Sequence, residues 1–226
     1  HGFDFGIKSW RMTGGGGHDK LSFDVGGFSA KLELEAKKPV VLQYGNGAML
    51  LGASDPFYYY SYTRMSVSGT LIVDGVEKSV SGTAWMDHQW GALGQNFDGW
   101  DWYSVRLDDN TELMLFRVRG DQHIAGGTYI HADGSYDEIP PGGFSVDVTG
   151  KWHSPHTDST YPLGWVIKVP QYDLEVTVTP QISDQEFYVS SFGSPKYWEG
   201  LCTVVGTRGG QGVSGHAYVE LTGYAK

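Results

Sequence analysis

The side chains best suited to chemistry in this 226-residue chain are concentrated in one stretch, Gly82–Tyr103. Its sequence, GTAWMDHQWGALGQNFDGWDWY, holds four of the eight Trp residues, with one His and three Asp residues between them. In an extended strand successive side chains point to opposite faces, so Met86, His88 and Trp90 share one face. Large indole rings beside one imidazole predict the wall of an apolar pocket that holds one titratable group.

Three residues of this stretch are candidate catalytic groups. His88 can act as a general acid or base, because an imidazole titrates near neutral pH. The alternative is a core histidine that a carboxylate such as Asp87 or Glu199 holds in place. Trp90 can stabilise a developing carbocation through its ring face, or simply pack. Asp87 points away from His88 in a regular strand, so the sequence does not imply a direct pair.

Other aromatic and acidic positions are candidates for binding a substrate. Glu220 lies in a strand between Tyr218 and Tyr224, and a buried carboxylate there needs a cationic partner. Arg64, Arg106 and Arg117 are the candidate partners, and an acid with a raised pKa is the other interpretation. The candidate substrate-binding side chains are Tyr58, Tyr60, Trp100, Trp102, Trp198 and Glu220.

No motif for a cofactor or a metal ion is visible, and none is expected. Cys202 is the single cysteine, so the spacing of a structural zinc site is absent. His153 and His156 flank Pro155 in what is predicted to be a surface loop. A GxSxG motif and nucleotide-binding fingerprints are also absent.

The composition excludes some classes of partner. The formal net charge is −10, and no basic stripe is present that would favour nucleic acid. The apolar runs are shorter than the roughly 20 residues of a membrane-spanning helix. The compartment stays open between the cytoplasm and export, because the chain begins at His1 and shows no targeting segment.

Alternating hydrophobicity and short turns predict an all-β chain. Leu21, Phe23 and Val25 alternate with polar residues, and Asp74-Gly75 is a strong hairpin signal. Only Asp184–Tyr188 is compatible with a short helical turn. The predicted strands from residue 57 onward are Phe57–Tyr62, Met65–Val73, Val76–Thr83, Tyr103–Leu107, Glu112–Arg119, Ala125–Ala132, Ser135–Ile139, Phe144–His153, Tyr161–Val169, Leu174–Pro180, Tyr197–Thr207 and Gly215–Tyr224.

The strand count favours two domains, residues 1–84 and 85–226. About eight strands from Met86 onward suit a small closed barrel. The preceding residues supply roughly five or six, which are too few for a second barrel of that size.

Several segments resemble the lipocalin-like AttH/CrtC family, which includes carotenoid hydratases, kievitone hydratase and Diels–Alder cyclases. They are YYYSYTRMSVSGTLIVDG, GTAWMDHQWG, GWDWYSVRLDDNTELMLFRVR, KYWEGLCTVVG and GHAYVELTGY. The resemblance implies two lipocalin-like antiparallel β-barrels with a ligand cavity near their junction. Full-length members carry an N-terminal Glu-Trp-Trp-Tyr motif that is absent here. Residues 1–84 are therefore expected to be the later strands of an incomplete first barrel, which a separate N-terminal fragment could complete.

The resemblance also bears on the site. In the hydratase branch the His and Trp of the DHxWG motif are important for catalysis, and here they are His88 and Trp90. That branch carries a Tyr and an Asp that have no counterpart in Glu112–Arg119, which argues against carotenoid hydration.

Three functions follow as hypotheses. The first is a cofactor-independent enzyme that hydrates, isomerises or cyclises a hydrophobic, isoprenoid- or polyketide-like molecule. The second is a non-catalytic carrier that uses the same aromatic pocket. The third is a partner-binding module whose exposed strand edges accept another chain.

Overall fold

The chain is built almost entirely from antiparallel strands, as the computed structural model shows for residues 2–49, 55–91, 97–120, 124–189 and 196–225. The helical elements in these ranges are two short 3-10 turns, Gln43–Gly45 and Pro170–Tyr172. The expected all-β, lipocalin-like class is confirmed. Across the described residues, no helix has the length and apolar character that crossing a bilayer requires.

The described residues form two compact units. The first contains the chain up to Ala48 and from Phe57 to Gly91, and the second contains the rest. The boundary expected after residue 84 falls inside a strand that continues to Gly91, because its pairing with the preceding strand extends to Phe57. That the two units are a first and a second barrel stays a prediction.

The first unit is one antiparallel sheet of eight strands. Neighbouring strands follow the order β1-β2-β3-β4-β7, and β8 pairs along the far side of β7. The strands are β1 Phe3–Ile7, β2 Trp10–Gly15, β3 His18–Val25, β4 Phe28–Ala36, β5 Val41–Leu42, β6 Ala48–Met49, β7 Phe57–Val73 and β8 Val76–Gly91.

The second unit contains a ten-stranded sheet and a two-stranded one. Alternate residues of the large sheet surround one apolar core that contains Tyr103, Trp165 and Trp198. The strands are β9 Phe97–Leu107, β10 Glu112–Gly120, β11 Ile124–Ile130, β12 Tyr136–Ile139, β13 Ser145–Val148, β14 Lys151–His153, β15 Thr160–Pro162, β16 Trp165–Val169, β17 Leu174–Pro180, β18 Glu186–Phe187, β19 Tyr197–Arg208 and β20 Gln211–Thr222.

The expected helical turn at Asp184–Tyr188 is wrong. Glu186 and Phe187 form strand β18, which pairs with Trp198 and Tyr197 of β19. The Glu186 carboxylate fixes this strand, because it accepts hydrogen bonds from the hydroxyls of Thr157 at 2.6 Å and of Tyr161 at 2.7 Å.

Candidate functional site

A group of five side chains on β7 and β8 forms what we call the aromatic–histidine cluster. Antiparallel register places Tyr58 opposite Trp90, Tyr60 opposite His88 and Tyr62 opposite Met86. Directly opposed residues project from the same face of a sheet, so these rings share one surface. The cluster is Tyr58, Tyr60, Tyr62, His88 and Trp90.

His88 is the polar centre of this cluster. Its ring stacks on Tyr60 at 5.2 Å between centroids, and the Tyr60 hydroxyl lies 3.3 Å from His88 Nδ1. Trp90 meets His88 edge-on at 5.1 Å and stacks on Tyr58 at 5.2 Å. The imidazole thus has one hydroxyl partner and π surfaces on two sides. This arrangement combines proton transfer with the stabilisation of positive charge.

The sheet of the first unit is curled around this cluster. Phe5 lies on β1, at the opposite end of the strand order from β8, yet its ring centroid is 6.1 Å from that of His88. Five strand spacings in a flat sheet would separate them by roughly 24 Å. The face that carries Phe5 and His88 is therefore the concave one, and we call it the inner face.

The inner face also carries a buried carboxyl group, that of Asp19. Asp19 is 2% exposed and lies opposite Gly14 and Leu34 on the neighbouring strands. Within the described part of the chain, neither of its carboxylate oxygens has a hydrogen-bond partner of ordinary geometry. Burial raises the pKa of Asp19, while the backbone N–H of Gly15 and the charge of His18 oppose that rise. The carboxyl is close enough to contribute to the raised pKa values of Tyr60 and Tyr62, for which burial is the larger cause.

Sequence reasoning did not select Asp19, although a signal was present. The strand alternation that places Leu21 and Phe23 inward places Asp19 inward as well. A carboxyl group in an apolar series, two residues after a run of four glycines, is the pattern that would have indicated it.

Asp87 lies on the other face of β8, away from His88. Its carboxylate accepts hydrogen bonds from Tyr59 Oη at 2.8 Å, Ser61 Oγ at 2.5 Å and Trp85 Nε1 at 2.7 Å. Ser61 Oγ in turn accepts one from Gln43 Nε2 at 2.8 Å. Burial raises the pKa of Asp87 to about 6 despite these donors. The hydrogen bonds around Asp87 thus join β7, β8 and the 3-10 turn Gln43–Gly45.

Four of the predicted binding residues belong to the second unit. Trp198 is fully buried in the core, where its Nε1 donates to the carbonyl oxygen of Ser183 at 2.7 Å. Trp100 and Trp102 lie on the face of β9 that points away from this core, and Glu220 is opposite Trp102 on β20. Of the predicted site residues, the structure brings Tyr58, Tyr60, His88 and Trp90 together on the first unit.

One of the three arginines that the sequence offers as partners of Glu220, Arg117, forms an ion pair with another carboxylate. Arg117 pairs with Asp101 at 2.7 Å on the core-facing side of the sheet, where Arg119 and the Tyr224 hydroxyl also bind this carboxylate. On the neighbouring strand, Glu220 lies directly opposite Glu199. Burial raises the pKa of Glu199, and the Tyr218 hydroxyl opposes that rise.

The remaining histidines of interest have carboxylate or aromatic contacts. His153 pairs with Asp158 at 3.0 Å, and His156 pairs with Asp184 and stacks on Tyr188 at 4.5 Å. In the ranges that the structure describes, no three His, Cys, Asp or Glu side chains converge as a metal ion would need.

Comparisons with known proteins connect this architecture to one family. A family model described as AttH-like matches residues 1–224. Over 215 residues the chain is 24% identical to dehydratase asqC of Emericella nidulans, and the match covers 90% of this chain and 59% of that protein. A crystal structure from Nitrosomonas europaea described as AttH has a TM-score of 0.87 and 32% identity, and the match covers 99% of this chain and 70% of that one.

Kievitone hydratase of Nectria haematococca has the same fold. Its TM-score is 0.78 at 18% identity, and the match covers 91% of this chain and 64% of that one. The chain therefore spans less than two thirds of the length of both the dehydratase and the hydratase.

Proposed function

The chain belongs to the AttH-like family, and we propose that it is a hydratase or dehydratase of a hydrophobic, isoprenoid- or polyketide-like small molecule. The observation that carries this proposal is the 3.3 Å contact between the Tyr60 hydroxyl and His88 Nδ1 inside the aromatic–histidine cluster. The names of the dehydratase and hydratase relatives support the same type of reaction.

The reaction needs a proton donor, a proton acceptor and an apolar surface. In the dehydration direction, protonated His88 gives its proton to the substrate hydroxyl, and the C–O bond breaks as its electron pair leaves with water. The resulting carbocation loses a proton from the adjacent carbon to neutral His88, which forms the C=C bond and restores the acid. Hydration is the reverse, so the protons balance in both directions.

The aromatic rings have a distinct part in this scheme. A carbocation above the faces of Trp90 and Tyr58 is stabilised by the negative charge of the ring faces. Tyr60 holds the imidazole in place through its hydroxyl and its stacked ring. The same cation could also isomerise or cyclise before it loses a proton.

Nerolidol, a tertiary allylic isoprenoid alcohol, is a suitable first substrate because its dehydration product is the hydrocarbon farnesene. Gas chromatography with mass detection measures the loss of one water. We expect His88→Ala to lower kcat/KM by about 100- to 10,000-fold, as removal of a general acid–base group does. His216→Ala, at an exposed position on β20, is the matched control and is expected to retain activity.

Binding measured by tryptophan fluorescence separates the enzyme from the carrier. Binding of nerolidol and farnesene without turnover in the unaltered protein would contradict the enzymatic proposal and favour the carrier. Equal turnover in His88→Ala and the unaltered protein would show that His88 is not the acid–base group.

A further inference from the structure

We propose that the inner face of the first unit is a site for an apolar organic cation, with the carboxylate of Asp19 as its counter-ion. This inference rests on the proposed function, since the cation it would stabilise there is the carbocation of the hydration or dehydration reaction. A stable ligand of the same class is a quaternary ammonium ion with an isoprenoid chain.

Asp19 without a ligand is energetically costly to the folded protein. A buried polar group without a hydrogen-bond partner destabilises a protein, and the cost is larger for an ionised carboxylate than for an uncharged polar group. Asp19 is 2% exposed, and its two oxygens have no partner of ordinary geometry among the described residues. Buried polar groups that lack hydrogen-bond partners are expected at functional sites.

The backbone lies unusually close to this carboxyl group. A side chain at Gly14 would overlap Asp19 Oδ1 and the carbonyl oxygen of His18, and Gly14 has a φ of 155°. A side chain at Gly17 would overlap Ala36 and lie 3.3 Å from the Tyr62 ring. The glycine-rich β2–β3 turn thus lets the main chain close over Asp19 and hold it beside Tyr62.

The surface next to Asp19 is aromatic. Tyr60 and Tyr62 lie near enough to Asp19 for its charge to act on their hydroxyl groups. Those rings belong to the aromatic–histidine cluster, whose ring faces also attract cations. A carboxylate behind a wall of aromatic rings is an arrangement suited to an organic cation, because the rings supply apolar contact and the carboxylate supplies charge.

Burial and a bound cation act on the Asp19 carboxyl group in opposite directions. Burial raises its pKa, because a charge that is shielded from water is costly. A cation on the inner face favours the ionised form, because opposite charges attract strongly where water is excluded. A charge that is already in place when the cation forms needs no reorganisation of the protein, which is how preorganised groups lower reaction barriers.

The test compares two probes of one carbon skeleton, the farnesyltrimethylammonium ion and farnesene, by tryptophan fluorescence titration. We expect Asp19→Asn to weaken binding of the ammonium ion by about tenfold or more, and to leave farnesene binding unchanged. Asp24→Asn is the matched control. It removes the same charge from the opposite, exposed side of the same strand, and is expected to change neither affinity.

Turnover and stability give two further readings. Asp19→Asn should lower kcat for nerolidol by about tenfold to a hundredfold while KM stays within a factor of about two. Its melting temperature should equal or exceed that of the unaltered protein, because a costly buried acid is removed. Asp19→Leu, which has nearly the same shape, is the second variant if the asparagine variant fails to fold.

The outcomes separate this inference from the proposed function. Unchanged ammonium affinity in Asp19→Asn, with farnesene still bound, overturns the counter-ion role and leaves the hydratase proposal standing. Loss of turnover in His88→Ala but not in Asp19→Asn also overturns the counter-ion role and leaves the hydratase proposal standing. Binding of neither probe by the unaltered protein overturns the apolar site itself, and both proposals fall with it.

Discussion

Asp19 and Asp87 are two carboxyl groups of one sheet whose pKa values are raised by burial for different structural reasons. Asp87 has three hydrogen-bond donors that lower its pKa, and burial outweighs them. Asp19 has no comparable set of side-chain donors, and only the N–H of Gly15 and the charge of His18 act against the rise in its pKa that burial causes. A group held by three donors fits a structural role, whereas the lack of side-chain donors at Asp19 is the basis of the counter-ion role proposed for it. The direction of a pKa shift alone would not have distinguished them.

Asp87 gives the folded protein a measurable pH dependence. Its pKa rises from 3.8 to about 6 on folding, so the folded state binds a proton more tightly than the unfolded state. The stabilisation by this proton begins to fall near pH 4 and is lost as the pH rises through about 6. We expect a total loss of about 3 kcal/mol in the free energy of unfolding between about pH 3 and about pH 7, measured by urea denaturation.

Asp87→Asn is the control for that titration. The asparagine variant cannot take up the proton, so the difference in stability between it and the unaltered protein should change across pH 4 to 6. Other carboxyl groups titrate equally in both proteins and cancel. A constant difference over this range would show that the pKa of Asp87 is not raised.

The β7–β8 hairpin is the element that builds the site, and its sequence explains most of it. Asp74 and Gly75 both adopt left-handed φ values, 50° and 78°, which match the turn favoured by antiparallel strands. The alternation then places His88 and Trp90 on one face, as the sequence predicts. What local pattern did not predict is the irregularity between Tyr62 and Met65.

That irregularity decides which side chains share the inner face. The sequence predicts two strands in this region, Phe57–Tyr62 and Met65–Val73, with two residues between them. In the structure one continuous strand covers both and accommodates an extra residue, as a β-bulge does. Tyr60 and Met65 consequently face the same side, although their sequence separation is odd. The pairing with β8 determines which face these side chains occupy, and the sequence of one strand alone does not predict that pairing.

Replacing Gly75 tests how strongly the turn supports the hairpin. Gly75→Ala forces a side chain into a φ of 78°, and we expect a loss of about 1 kcal/mol in the free energy of unfolding. Gly82→Ala is the matched control on β8. A Cβ there meets no atom within 4 Å, so it should leave stability nearly unchanged or raise it. Equal effects of the two variants in thermal denaturation would contradict a special role for the turn.

Across the whole chain, aromatic residues serve two purposes that the sequence does not separate. Trp90 and Trp198 both lie in motifs typical of the family, and both are candidate site residues. Trp90 is 46% exposed on the first unit, whereas Trp198 is fully buried in the core of the second. Whether a Trp lines a core or an open surface depends on strands that are distant in sequence. For Trp198 one such strand is β16, because the ring centroid of its Trp165 lies 6.2 Å from that of Trp198. Composition and alternation therefore predict the all-β class but not this division.

The two tryptophans should accordingly separate stability from function. Trp198→Ala removes a fully buried side chain and the hydrogen bond to Ser183, so we expect a loss of about 3–5 kcal/mol in the free energy of unfolding. Trp90→Ala removes a half-exposed ring and should cost about 1 kcal/mol or less. It should nevertheless weaken farnesyltrimethylammonium binding severalfold, since a cation–π contact is lost. Denaturation and fluorescence titration of the two variants measure both quantities, because tryptophans remain in each. A large loss of stability in Trp90→Ala with unchanged ligand affinity would show that the aromatic–histidine cluster is a packing feature rather than a binding surface.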